Sequence, residues 1–70
     1  MTGLSSLTYN GKLYTHDELM SIGYNVASGW GGECIGYSID TGKKEVQFDC
    51  VEHGDFFFTI VGFDELRDYE

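Results

Sequence analysis

Apolar and polar residues alternate through much of the second half of the chain, which is the pattern of β-strands with one buried face. Three such segments can be delimited, at Cys34–Asp40, Glu45–Val51 and Asp55–Val61. Short polar stretches that contain glycine separate them, so consecutive segments are expected to pair as antiparallel hairpins. The pattern therefore predicts a three-stranded antiparallel meander.

The length of each turn determines which residues of neighbouring strands face one another. A four-residue turn at Thr41–Lys44 pairs Asp40 with Glu45. On one face of the sheet, the pairs that follow are Ile39–Val46, Tyr37–Phe48 and Ile35–Cys50. Because these side chains are apolar or nearly so, we expect this face to pack on the core.

The next turn is predicted to be a three-residue loop, Glu52–Gly54, which pairs Val51 with Asp55. The pairs that follow on the same apolar face are Cys50–Phe56, Phe48–Phe58 and Val46–Ile60. Phe57 and Val61 then fall on the opposite face, where we expect another segment or a partner to cover them. A slip of one residue would exchange the two faces of this strand.

A hairpin signal occurs near the start of the chain, where Asn10-Gly11 separates two short runs of β-favouring residues. Asn-Gly is a strong signal because both central residues of a tight hairpin turn take positive φ. We therefore predict strands at Leu7–Tyr9 and Lys12–Tyr14.

A helix is predicted to follow the hairpin. Thr15 and Glu18 have the spacing of a capping box, in which each side chain binds the backbone N–H of the other residue. The stripe expected to face the core consists of Leu19, Met20 and Ile22. Gly23 is predicted to end the helix after about two turns, as a left-handed cap.

The segment after Gly23 is predicted to be a glycine-rich loop, and it lacks the spacing and the lysine of a phosphate-binding loop. Trp30 within it is expected to fold back as a lid on the core or to be presented to a partner, and the lid is the preferred interpretation. A second short helix is predicted to begin at Asp64. The fold class is therefore α+β: an antiparallel sheet, made of the N-terminal hairpin and the meander, with one or two short helices in a single small acidic domain over residues 1–70.

Charge sets limits on the partners of this domain. The sequence contains 12 acidic and 4 basic side chains, a formal net charge of −8. Such a protein repels nucleic-acid phosphates and anionic membranes, so we expect neither as a direct ligand. It attracts basic surfaces, although solubility alone is the alternative explanation of the charge. No apolar run approaches the ~18 residues of a membrane span, no secretory signal pattern is present, and two cysteines make no disulfide framework, so the expected location is a reducing cytoplasm.

Catalytic and metal-binding motifs are weak. Cys50 and His53 have a Cys-x-x-His spacing, and Cys34 and His16 would complete the four ligands of a structural zinc site. In the predicted register, however, the two cysteines point to opposite faces of the sheet, which disfavours both this site and a disulfide. A thiol on an apolar face is also inert as a nucleophile. We therefore predict no catalytic residues, no metal and no cofactor, and a small metal-assisted enzyme that uses Cys50 and His53 stays as a rival interpretation.

The acidic side chains are the better candidates for function, because carboxylates spaced several ångströms apart can imitate the phosphates of DNA. Aromatic residues beside them could supply apolar anchors. The candidate acids around the sheet are Glu33, Glu45, Asp49, Glu52 and Asp55, and those near the end of the chain are Asp64, Glu65, Asp68 and Glu70. The candidate anchors are Trp30, Phe57 and Tyr69.

In size, acidity and lack of an active-site motif, the whole chain resembles the small phage-encoded anti-CRISPR proteins, in particular the inhibitors of type I systems. The stretches "YNGKLYTHDEL" and "GFDELRDYE" prompt this comparison. The resemblance implies a non-enzymatic inhibitor that binds a basic, DNA-binding surface of a CRISPR–Cas effector subunit inside a bacterial host cell. Imitation of DNA fits the charge, whereas some members of this class instead block nuclease recruitment or hold subunits apart. The resemblance leaves open a monomer or a homodimer. The alternative is an inhibitor or adaptor of another nucleic-acid enzyme, such as a restriction enzyme or a polymerase, with apolar contacts at Trp30 and Phe57.

Overall fold

The computed structural model describes residues 5–70, so the first four residues of the predicted domain lie outside it. Over these residues the fold is α+β, with a two-stranded antiparallel sheet, a three-stranded antiparallel sheet and two helices. The elements in chain order are β1 (Leu7–Tyr9), β2 (Lys12–Tyr14), α1 (His16–Ser28), β3 (Glu33–Asp40), β4 (Glu45–Glu52), β5 (Asp55–Gly62) and a 3₁₀ helix (Phe63–Tyr69). The predicted fold class is confirmed.

The N-terminal hairpin has the predicted strands and the predicted turn. Asn10 and Gly11 have φ angles of 52° and 77°, as a two-residue hairpin turn requires. The turn pairs Tyr9 with Lys12 and Leu7 with Tyr14. Local sequence chemistry was sufficient here, because the turn residues alone fix the register.

Helix α1 begins after the predicted N-cap, Thr15, but is longer, and the Glu18 carboxylate pairs with Lys12 instead of completing the predicted capping box. The backbone N–H of Glu18 donates to Oγ1 of Thr15 at 3.2 Å, so Thr15 is the N-cap. The helix then continues through Gly23 to Ser28 instead of ending after two turns. The prediction that the segment after Gly23 is a loop is therefore wrong for its first five residues. The buried stripe is Leu19, Ile22, Gly23, Val26 and Ala27, which has the spacing of one helix face.

Gly23 is a point of close approach between the helix and the sheet. A Cβ atom at this position would lie 2.5 Å from Sγ of Cys34 and 2.7 Å from Cδ1 of Phe48. Glycine normally weakens a helix interior, so its presence here is explained by packing. A glycine that serves as a cap and one that serves a close contact cannot be told apart from the local sequence.

The pairing of β3 with β4 follows the prediction over most of its length. Asp40 lies opposite Glu45, and the Ile39–Val46 and Tyr37–Phe48 pairs are present. The pattern breaks at a β-bulge between Cys34 and Gly36, so that Cys34 and not Ile35 lies opposite Cys50.

The predicted pairing of β4 with β5 is wrong by one residue. Glu52 lies opposite Asp55, so the loop consists of His53 and Gly54 alone, with φ angles of 51° and 83°. The prediction assigned three residues to this loop, whereas a tight two-residue turn accommodates histidine at positive φ. The observed pairs include Cys50–Phe57, Phe48–Thr59 and Val46–Val61.

The one-residue difference exchanges the faces of β5. We call the face of the three-stranded sheet that packs on α1 the inner face, and the opposite face the outer face. Val61 is buried and Phe57 is partly buried on the inner face. Phe56, Phe58 and Ile60, which were predicted to be in the core, lie on the outer face instead.

The core lies between the inner face of the sheet and the elements packed on it, α1, the N-terminal hairpin and the 3₁₀ helix. Its largest fully buried side chains are Phe48, Leu19, Ile22, Leu66, Val46 and Cys50. Tyr9 of the hairpin meets Phe63 of the 3₁₀ helix edge to face, with ring centroids 5.4 Å apart. These contacts use one face of the sheet, and no other element within residues 5–70 covers the opposite face.

Candidate interaction surface

A row of large apolar side chains occupies the outer face of β5. The exposed fractions are 77% for Phe56, 61% for Phe58 and 44% for Ile60. We call these three residues the aromatic row. A small domain has few apolar side chains to spare from its core, so three consecutive outward positions of this kind on one strand are informative.

Carboxylates lie beside the aromatic row on the same face. Asp49 of β4 is the cross-strand neighbour of Phe58, and Gln47 is the neighbour of Ile60. The amide of Gln47 donates to Oδ1 of Asp49 at 2.9 Å, which orients that carboxylate. The four acids of the outer face are Glu33, Asp40, Glu45 and Asp49. The face thus combines an apolar row along one edge with four carboxylates on the other two strands.

The β-bulge adds one more apolar side chain. Ile35 is displaced from the predicted inner position and is 54% exposed. It lines a shallow depression whose other lining residues are Asp49, Cys50, Phe56, Phe57 and Phe58. A depression with apolar walls and one carboxylate can receive a protruding side chain of a partner that has an apolar stem and a positive end, such as lysine or arginine.

Three of the candidate acids predicted around the sheet, Glu33, Glu45 and Asp49, belong to this outer face. The other two are Glu52 and Asp55, which lie opposite each other next to the β4–β5 turn. Their positions along the strands belong to the inner face. The Glu52 carboxylate approaches the loop after α1, since a Cβ atom on Gly31 would lie 2.7 Å from its Oε2. The five predicted acids therefore do not form one cluster.

Trp30 is 64% exposed, so the prediction that it forms a lid on the core is wrong. Its backbone N–H donates to the carbonyl of Ala27 at 2.9 Å, so the hydrogen-bonded turn at the end of α1 extends to Trp30. The neighbouring Gly32 packs close to the Phe57 ring on the inner side. Trp30 thus remains an exposed anchor candidate on a loop separate from the aromatic row.

The acids of the 3₁₀ helix have different surroundings. Asp64 and Asp68 are exposed. Glu65 accepts a hydrogen bond from the backbone N–H of Gly62 through Oε1 at 3.0 Å, so it caps the start of the helix. Arg67 lies among these acids in sequence. Of this predicted cluster, Asp64 and Asp68 are the carboxylates that remain available to a partner.

Glu70 joins the end of the described chain to the N-terminal hairpin. Its carboxylate forms an ion pair with Lys12 and accepts a hydrogen bond from the hydroxyl of Tyr14 at 3.1 Å. The hydrogen bond from Lys12 holds the pKa of the Glu70 carboxyl below its usual range. Tyr69 is 37% exposed, and its carbonyl accepts from the side chain of Asn25. Glu70 therefore has a structural role that the sequence analysis did not assign.

Cys34 and Cys50 lie opposite each other on β3 and β4, on the side of the sheet that faces α1. The prediction that they point to opposite faces is wrong, because it did not include the bulge. Both are free thiols, and burial raises the pKa of each. A raised pKa keeps a thiol protonated and unreactive at neutral pH. Over residues 5–70, no group of three or more His, Cys, Asp or Glu side chains could hold a metal ion.

The part of the chain that the structure describes contains no helix long and apolar enough to span a membrane. Comparison with protein-family models, with curated protein sequences and with solved structures finds no match. The function is therefore inferred from the surface itself. The residues of the surface that sequence analysis missed are Ile35, Phe56, Phe58 and Ile60. The His53-Gly54 pair was the signal that could have identified the last three, because a two-residue turn reverses the assignment of faces.

Proposed function

We propose that this protein is a non-enzymatic inhibitor that binds a basic, nucleic-acid-binding surface of another protein and prevents nucleic acid from reaching it. The observation that carries the proposal is the outer face, which the described residues leave uncovered and where the aromatic row lies beside the oriented carboxylate of Asp49. A net charge of −8 steers such a face toward cationic surfaces.

The mixture of side chains supports binding rather than solubility alone. Carboxylates would be enough to keep a small domain soluble, whereas uncovered Phe56 and Phe58 work against solubility. Protein interfaces commonly have an apolar centre with aromatic anchors and a polar rim. The aromatic row and its neighbours Asp49 and Glu45 have this composition.

Two modes of inhibition are compatible with these features. In the first, the aromatic row docks on an apolar spot of the partner while the carboxylates meet its cationic rim. In the second, the carboxylates imitate DNA phosphates, and exposed Asp64 and Asp68 extend the imitation. DNA presents no row of apolar rings to a channel that binds its backbone. The uncovered row therefore favours the first mode, with charge as a steering contribution.

The resemblance to anti-CRISPR proteins nominates a type I CRISPR–Cas effector complex in a bacterial cytoplasm as the first partner to test. Restriction enzymes and polymerases are the next candidates, because they too have basic nucleic-acid channels. Direct contact with DNA is disfavoured by the net charge.

The experiment measures binding of target duplex to a purified type I effector complex, with and without an excess of this protein. We expect the protein to reduce duplex binding, and high salt to weaken the inhibition because surface charges are screened. Duplex binding that is unchanged at saturating protein would contradict the CRISPR assignment. The same assay with a restriction enzyme or a polymerase then tests the alternative partners.

Matched variants identify the surface that acts. Asp49→Lys and Asp64→Lys change the charge equally, but only the first lies beside the aromatic row. Phe58→Ala and Leu13→Ala both truncate an exposed apolar side chain, and Leu13 lies on the N-terminal hairpin with 53% exposure. We expect Asp49→Lys and Phe58→Ala to weaken inhibition about tenfold or more, as losses at interface anchors do. Equal effects of both members of each pair would contradict a role for the outer face.

A further inference from the structure

Strand β5 has an edge that the described residues leave unpaired. The strand order is β3-β4-β5, and β5 pairs with β4 alone. Natural proteins protect such edges with bulges, prolines, lysines or very short strands. The other edge strand, β3, has a bulge. In contrast, β5 has eight residues in continuous register, without proline or lysine.

The turn determines which backbone groups point to this edge. In the two-residue turn, the backbone N–H of Asp55 is directed to the carbonyl of Glu52. The backbone N–H and C=O groups of Asp55 therefore point toward β4. Alternation along an antiparallel strand then directs the N–H and C=O groups of every second residue outward. The outward positions are Phe56, Phe58 and Ile60, whose side chains form the aromatic row.

We propose that two copies of this chain pair through β5 as an antiparallel two-fold dimer centred on Phe58. In this register Phe58 lies opposite Phe58 of the second copy, and Phe56 lies opposite Ile60 of the second copy. Every outward N–H and C=O of the row then finds a partner. The side-chain pairs are aromatic–aromatic and aromatic–β-branched, which are favourable across antiparallel strands. One set of three residues supplies both halves of the interface, as a two-fold interface requires.

The charge of the chain does not prevent this pairing. Asp55 is the only carboxylate on β5. In the proposed register the two Asp55 residues lie at opposite ends, about 20 Å apart at ~3.4 Å per residue. This separation exceeds the screening length of about 8 Å at physiological salt. Each copy carries a net charge of −8, and salt screens the repulsion between the two copies, so added salt should strengthen the dimer, whereas it should weaken binding to a basic partner.

The proposed interface is small. It consists mainly of one strand on each side, and a stable complex usually buries ~800 Å² per partner. We therefore expect a weak dimer, whose population increases with protein concentration. Edge pairing leaves the outer face open and joins two aromatic rows into one strip flanked by Asp49 of each copy. The dimer is independent of the proposed function, although it would double the surface on which that function rests.

The first test is disulfide trapping with introduced cysteines. In the two-fold register, Phe58→Cys places two thiols on directly opposed residues, whose Cα atoms lie ~5.5 Å apart as in a disulfide. Phe56→Cys is the matched control, because its two copies are separated by four residues, about 14 Å. With oxidised glutathione as the oxidant, each disulfide forms as two thiols lose their protons and two electrons, and glutathione disulfide is reduced to two thiols.

We expect a covalent dimer from Phe58→Cys, with the link between the two introduced cysteines confirmed by peptide mapping, and little dimer from Phe56→Cys. Equal trapping of both variants, or trapping of Phe56→Cys alone, would overturn the register. The native Cys34 and Cys50 are present in both variants and cancel in the comparison. The protein alone is used, so trapping by a foreign partner does not enter.

The second test is sedimentation equilibrium of the unmodified chain over a range of concentration and salt. We expect self-association that increases with salt, and its loss in Phe58→Lys, because two lysines would oppose each other at the two-fold axis. Leu13→Lys makes the same change of charge on the N-terminal hairpin and should leave the dimer unaffected. A monomer at every concentration, or self-association that Phe58→Lys leaves intact, would overturn the dimer. Either result leaves the inhibition assay unaffected, so the two proposals fail separately.

Discussion

The two faces of β5 differ although both are apolar. Phe57 and Val61 on the inner face pack against the core, whereas Phe56 and Phe58 on the outer face are mostly exposed. Neither composition nor hydrophobicity distinguishes the two sets. The difference teaches that a strand with large apolar residues on both faces has no intrinsic inside, and that the turn before it decides which set becomes core and which becomes surface.

The inner face carries most of the stability. Its side chains lie in contact with α1 and the 3₁₀ helix, and Phe48, Val46 and Cys50 are fully buried. The outer face contributes little in a monomer because water still surrounds its rings. If this division is correct, substitutions on the two faces should have very different effects on folding and on binding.

The largest effect is expected from Phe48→Ala on the inner face. Phe48 is fully buried at the centre of β4. Truncation of a buried phenylalanine costs about 3–5 kcal/mol, which is comparable to the total stability of a 70-residue domain. Thermal denaturation should show no cooperative transition near that of the wild type. A wild-type transition would mean that this face is not the core.

A smaller destabilisation is expected from Gly23→Ala, which tests the contact between α1 and the inner face. Alanine improves the helix by about 0.5–1 kcal/mol, but the added Cβ overlaps Cys34 and Phe48. Overpacking of this kind typically costs about 1–3 kcal/mol. We expect a net loss in urea denaturation. Gly42→Ala, in the exposed β3–β4 turn, is the control; a gain in stability for Gly23→Ala would contradict the close packing.

Acid pH should weaken the contact that holds the 3₁₀ helix near the hairpin. The pKa of Glu70 is lowered by Lys12, so its contribution is complete above the ordinary value of 4.5 and is lost as pH falls through the lowered pKa. Urea midpoints measured across this acid range should fall less in Glu70→Gln than in the wild type. Asp68→Asn, in the same helix, should behave as the wild type. Parallel curves for Glu70→Gln and wild type would refute the contact.

The smallest effect on stability is expected from Phe58→Ser on the outer face. The side chain is 61% exposed, and exposed substitutions usually change stability by less than about 0.5 kcal/mol. The same variant should impair both self-association and inhibition. Calorimetry of a dilute monomer separates folding from binding. A loss of several kcal/mol would show that the row belongs to the core after all, and would remove the contrast between the faces.

Several parts of the fold could be predicted because short-range chemistry determines them. Asn10-Gly11 determines the first hairpin, Thr15 determines the start of α1, and the turn after Asp40 determines the β3–β4 register. In each case the deciding contacts lie within a few residues. The strands of the meander could be located for the same reason, since alternation is a local pattern.

The candidate site could be predicted only in part. The acidity of the surface is a property of composition, and Glu45 and Asp49 were correctly identified as residues near the sheet surface. The exposure of Phe58 could not be read from its own segment, because Phe57 beside it is equally apolar. The structural role of Glu70 was also inaccessible, since its partners Lys12 and Tyr14 are more than fifty residues away.

By itself, the sequence determined the positions of the strands, the N-cap of α1, the first hairpin, the excess of negative charge and the absence of a strong catalytic motif. Only the tertiary structure decided that Gly23 is a contact rather than a cap, that Cys34 faces Cys50 across a bulge, and that Glu70 joins the end of the described chain to the hairpin. The physical reason is the range of the interactions. Caps and turns are satisfied by neighbours in the chain, whereas burial depends on the other elements that pack against a residue.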